Sequence, residues 1–160
     1  QHRQPQALLE PGFRVDLAAL KLLRSQQQAL LAGDIAHLSR SSLFELNSEF
    51  HEVLVGFSGN PFFVDAVKKG NRVRRLLDYR STLDRTRLPR QCEEHLQILD
   101  LLERGEILQA AEVLRQHLQG ALASKRGLVT SLRRFHSRPS LVAKAVSATI
   151  IVCLPCCTLL

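Results

Sequence analysis

The stretch from Leu43 to Phe57 constrains the fold more than any other. Leu43, Phe44, Leu46, Phe50, Val53, Leu54 and Phe57 recur at three- and four-residue intervals, the period of a helix with one inward-facing side. Asn47 and His51, four apart, lie on one side of the same helix, so two metal-capable side chains point together along an inward-leaning face. Ser58-Gly59-Asn60-Pro61 closes the stretch. Farther on, His95 shares a face with Cys92, Leu99 and Leu102, and His117 shares one with Val113, Leu114 and Ala121.

The rest of the chain favours the same kind of element. Trp is absent, aromatics make up 5%, and Leu, Ala, Arg, Gln and Glu dominate, a composition suited to helix rather than sheet. At 160 residues one domain can bury about two thirds of its unfolded surface without covalent staples. The expectation is an all-α fold, an antiparallel bundle of about six helices. Gln6 to Glu10 reads as a short helical piece stopped by Pro11-Gly12. Asp16 is placed to cap a helix running to about Leu31, with Leu17, Leu20, Leu23, Leu30 and Leu31 on its buried side and Gly33 as its stop. Asp34 would cap the next helix, which runs to about Phe57 with a break possible at Ser39-Arg40-Ser41-Ser42. Pro61 suits the first position of a third long helix, to about Leu83, whose inward side includes Phe63, Val67, Gly70 and Leu77, with Arg74 on or near it. Thr82 to Leu88 is loop-like. Pro89 opens a fourth helix that carries His95 and stops at Gly105; Glu106 to about Ala123 forms a fifth, carrying His117. Arg126 to Arg138 is basic and weakly periodic.

Net charge is +7, and its distribution says more than its size. Nine basic residues lie between Lys68 and Arg90 against Asp78 and Asp84, while the remainder balances, thirteen basic to thirteen acidic. One helix and its following loop carry the whole excess, a surface on which an acidic partner could dock. Four Cys occur, Cys92 alone and Cys153, Cys156 and Cys157 near the end. That clustering is no secreted disulfide framework, and no signal peptide opens the chain, which points to a reducing cytoplasm. Leu141 to Leu160 is mostly apolar but carries Lys144 and Pro155, an interrupted candidate for a membrane span; a membrane role is not expected. The segments expected are 1–13, truncated or irregular; 14–138, a helical ligand-binding domain; and 139–160, an apolar Cys-containing tail.

Three His on the apolar faces of three helices, with an Asn one turn before the first, is a pattern by which bundles build metal sites between facing helices. Imidazole suits Zn, Ni, Cu, Fe or Co, and a neutral amide oxygen adds a weak fourth ligand. Periodicity does not by itself bring the three helices together; alone, each His reads as an ordinary core residue.

The series Asn47-Ser48-Glu49-Phe50-His51-Glu52-Val53-Leu54, Ser58-Gly59-Asn60-Pro61, Glu94-His95-Leu96-Gln97-Ile98-Leu99, Arg104-Gly105-Glu106, Ala110-Ala111 and Arg115-Gln116-His117-Leu118 resembles the FCD effector-binding domain of FadR-type GntR transcription regulators. The resemblance spans about Asp16 to Ala121. It implies a helical bundle, usually dimeric, that binds a small organic acid and changes the geometry of N-terminal winged-helix DNA-binding domains. Many such domains hold a divalent metal with an Asp, a His four residues later and two more His on later helices. By match these become Asn47, His51, His95 and His117, with Zn or Ni the metals expected. Asn47 replaces the commoner Asp and removes one negative charge. Gln6 stands where an Arg usually precedes the Leu-Glu pair, here Leu9-Glu10. The winged-helix domain is absent from the sequence, so DNA would be reached only through it.

The function expected is therefore effector sensing in a bacterial-type transcription regulator, not catalysis. A carboxylate effector would reach the metal through an oxygen and pair with an Arg, for which Arg74 or Arg75 is best placed. A homodimer in the cytoplasm is expected. Two alternatives stand beside it. A metal-dependent hydrolase-like enzyme would use three His and an open position to activate water, with Glu45, Glu49 or Glu94 offered as base. A nucleic-acid-binding module would use residues 68–90; Tyr79 is the one aromatic there, so binding would be phosphate-driven and salt-sensitive.

Overall fold

A computed structural model describes residues 3–78 and 85–135, with the side chains of 3–75 and 85–121. Its elements are α1 (Arg3–Leu8), α2 (Leu17–Ala29), a π-helical turn (Leu30–Asp34), α3 (Ile35–His37), α4 (Arg40–Gly56), α5 (Pro61–Asp78), a 3-10 turn (Arg85–Arg87), α6 (Leu88–Glu103) and α7 (Ile107–Phe135). No strand occurs among the described residues, and the fold is all-α. Among the described residues, those up to Arg115 form one compact unit and those from Gln116 a second. The second unit's described part is the continuation of α7 to Phe135.

Within the first unit α4 packs along α5, α2 along α6, and α1 against both α4 and α5. Ala7, Val55, Phe63 and Val67 form one buried cluster joining α1, α4 and α5. Leu30, Leu43 and Cys92 form another, with Ile35, Leu38, Leu46 and Leu88 packed on it. Leu20, Leu23, Phe50, Leu54, Ile98, Leu99 and Leu114 are fully buried. At about 25 cal/mol per Å² of apolar surface removed from water, burial of this kind is the main stabilising term.

The helix boundaries follow local chemistry. Asp16, extended at φ −86° and ψ 109°, accepts from the amides of Ala18 and Ala19 and starts α2 as expected. Asp34 does not cap: it is helical itself and makes no capping bond. The cap of α4 is Ser39, whose hydroxyl accepts from the Ser42 amide at 3.1 Å. The break expected at 39–42 is thus the true start of the helix, and Gly33, at φ 141°, makes the bend before it. Asn60 Oδ1 accepts from Phe62 N at 3.1 Å and caps α5. α6 ends in a Schellman motif: the Glu106 amide donates to Leu101 O and the Gly105 amide to Leu102 O, with Gly105 left-handed at φ 74°.

Four burial expectations need correction. Leu17 and Leu31 are 60% and 38% exposed, because the buried side of α2 runs through Leu20, Leu23, Gln27 and Leu30. On α5 the inward residue after Phe63 and Val67 is Asn71, a step of four, and Gly70 is exposed. Phe44, near the edge of the α4 face, is only half-buried. The side chain of Leu77 lies outside the described residues, as do the loop-like residues 79–84 and the tail 139–160. Among the described residues no helix is long and apolar enough to cross a membrane; the interrupted apolar run at 141–160 is not among them.

Candidate metal centre

α4 buries both Phe50 and His51, α6 buries His95, and all three sit at 2% exposure or less. α7 continues unbroken past Arg115, so His117 keeps the register of Ala110 and Leu114, both buried, and is itself 5% exposed. One ring nitrogen from each of His51, His95 and His117 lies within 4.8 Å of the others. The His51 and His95 rings meet edge to face at 5.2 Å. Phe50 stacks on His95 at 3.8 Å, nearly parallel, and meets His51 edge-on at 5.3 Å. A phenyl ring thus fixes the planes of two imidazoles at once.

The donor set suits a borderline divalent ion: three imidazoles, buried, on separate helices. Bonds of about 2.0–2.1 Å at tetrahedral angles put ligating nitrogens about 3.3–3.4 Å apart, so sharing one ion would draw the most widely separated of these imidazoles together by up to about 1.4 Å. Three imidazoles are neutral when they ligate, which leaves the ion's charge uncompensated by the side chains that hold it.

Asn47, one turn before His51 and half-buried, lines a cavity of about 20 Å³ with Gln27, Leu30, Leu43, Gln91, Cys92 and His95. That volume has room for about one water. Burial, and secondarily the charge of Glu93, pushes the Cys92 thiol up to about 11. At neutral pH Cys92 therefore lines the cavity as a protonated, weakly polar group rather than as a thiolate.

Gln27 is the site residue that the sequence did not reveal. It is 1% exposed, and its Oε1 lies 3.0 Å from His95 Nδ1. The signal for it was its position, four after Leu23 and three before Leu30 on the buried face of α2. Its place within Gln26-Gln27-Gln28 disguised it as part of a polar surface run.

Arg74 and Arg75 stand on α5 with described partners of their own. The Arg74 guanidinium lies over the Phe44 ring at 5.4 Å and donates to Asn71 Oδ1 at 3.4 Å. Arg75 pairs with Glu45 Oε1 at 3.1 Å and donates to Ser41 Oγ at 3.2 Å. Neither lines the small cavity beside His95. The basic stretch is partly spent inside the molecule as well. Arg85 donates to the carbonyls of Ile35 and Leu38 at the end of α3, and Arg90 pairs with Glu94 at 2.9 Å. Lys68, Lys69 and Arg72 are exposed.

Neither the comparison with curated proteins nor that with solved structures returned a match. Residues 13–120 match the model of the FCD domain. That span covers α2 to α6, the three histidines and the start of α7, so the chain belongs to the FCD family, the C-terminal, effector-binding regulatory domain of FadR/GntR-type regulators.

Proposed function

We propose that His51, His95 and His117, with Asn47 as a neutral fourth donor, hold a divalent ion, zinc or nickel, and that a small organic acid binds beside it as the effector of a transcription regulator. The observation that carries this reading is the buried histidine triad on three separate helices, with ligating nitrogens within 4.8 Å. The ion would supply positive charge to a carboxylate oxygen. Arg74 or Arg75 would take a second carboxylate by the guanidinium fork. The Arg75–Glu45 pair is about half exposed on both sides, and such pairs contribute about 0–1 kcal/mol, so exchange of Glu45 for a ligand carboxylate costs little.

A cavity of about 20 Å³ is too small for a di- or tricarboxylate, so on this reading its walls would have to part for the effector to enter. Such a difference would give the effector unequal affinity for two states, the requirement for shifting an equilibrium. The shift would pass to the partner protomer of a homodimer and to the winged-helix domain of the whole regulator. Titration calorimetry with zinc or nickel, then citrate, tests the reading on metal-stripped protein. The expected result is metal binding that weakens from pH 7.5 to 5, since imidazole ligates only as the neutral base and ordinarily titrates near about 6.5, and citrate binding that needs the metal. Citrate binding of equal strength in excess EDTA would contradict it.

A further inference from the structure

Of the two ring nitrogens of His95, one faces Gln27. The Gln27 Oε1 is an acceptor only, so at 3.0 Å from Nδ1 it takes the proton that Nδ1 carries, and the in-plane lone pair of the neutral ring is then on Nε2. An unconstrained neutral histidine favours the opposite arrangement, with the proton on Nε2. Gln27 is 1% exposed and lies on α2, a different helix from any of the three histidines. Its Nε2, also buried, finds no acceptor among the described side chains. The carbonyl half of Gln27 is thus held on His95 while the amide half has no acceptor among the described residues. Both residues line the same small cavity as Asn47.

We propose that Gln27 is a positioning residue that fixes His95 as the Nδ1–H tautomer and so aims its Nε2 lone pair at the histidine cluster. The consequence for metal rests on the metal reading above; the tautomer does not. Phe50, stacked on His95 at 3.8 Å, sets the plane of the ring, and Gln27 sets which edge carries the proton. Outer partners of this kind are worth about 10- to 100-fold in metal affinity.

The test is ¹⁵N-resolved NMR of the histidine rings in metal-free protein at pH 8, in wild type, Gln27→Leu and Gln27→Glu, with zinc affinity measured on each. Wild type should show His95 protonated at Nδ1. Gln27→Leu, of similar volume but without an acceptor, should move the proton toward Nε2 and weaken zinc about 10- to 100-fold. Gln27→Glu keeps an acceptor at the same place and should keep the Nδ1–H form. An Nε2–H tautomer in wild type, or the same tautomer in wild type and Gln27→Leu, overturns the proposal. If the leucine variant does not fold, a shift to Nε2–H in Gln27→Glu overturns it instead. A wild-type chain with the Nδ1–H tautomer that binds no divalent ion upholds the positioning and removes the metal reading.

Discussion

Asn47 stands where the family resemblance implies an Asp, and on the proposed reading that difference has two consequences of opposite sign. An amide oxygen is a weaker donor than a carboxylate, so Asn47→Asp should tighten metal binding. The same change lowers the positive charge of the loaded cavity by one unit and should weaken citrate at saturating metal. Calorimetry on both proteins separates this from a hydrogen-bonding role, in which an Asp beside His95 would destabilise the fold by about 1–3 kcal/mol and leave metal affinity unchanged. Cys92, in the same cavity, makes a prediction about pH. Its thiol is raised from the ordinary 9.0 to about 11 by burial. Between those values the unfolded chain loses a proton that the folded chain keeps, so the contribution to stability is fully present below pH 9 and is lost as pH rises through about 11. Urea denaturation across that range should show wild type losing stability faster than Cys92→Ala; parallel curves would contradict it. Alkylation of native Cys92 at pH 8 should be slow and become fast on unfolding.

At the scale of the helix, the faces carrying the site were legible because apolar spacing reports burial directly: Phe50 with Leu54, Ile98 with Leu102, and Ala110 with Leu114 are all buried pairs four apart. Buried polar residues were not legible from spacing. Gln27 and Asn71 occupy core-facing positions but look like surface residues until their partners are seen, His95 for one and Glu52, at 2.8 Å, for the other. Helix starts were ambiguous for a related reason. Asp34 and Ser39 both have capping chemistry, and only the backbone decides: Ser39 is extended at ψ 159° and Asp34 is not. Ser39→Ala should therefore cost about 1 kcal/mol, and Asp34→Ala much less, as read by chemical denaturation; equal losses would contradict the cap assignment. Gly33 has open space where a Cβ would stand, yet φ is 141°. A Gly33→Ala change should cost about 1–3 kcal/mol through backbone strain alone.

At the scale of the molecule, long-range ties join the helices around His51 and His95. Arg24 on α2 bridges Asp100 and Glu103 on α6 at 2.7 and 2.9 Å, Gln26 reaches Glu49 on α4, and Asn71 on α5 reaches Glu52 on α4. Apolar periodicity assigned each histidine to a buried face, but it could not say that the three faces meet, since that depends on helix order in space. If His51, His95 and His117 coordinate an ion as proposed, metal binding is a property of the folded chain, and added metal should raise the melting temperature through mass action. Elemental analysis after equilibrium dialysis against zinc, on wild type and on His51→Ala, His95→Ala and His117→Ala, decides whether the histidine cluster holds an ion. About one zinc per wild-type chain and substantially less in each variant are expected; a wild-type chain that retains none, or variants that retain as much as wild type, would contradict a metal site built from the three histidines.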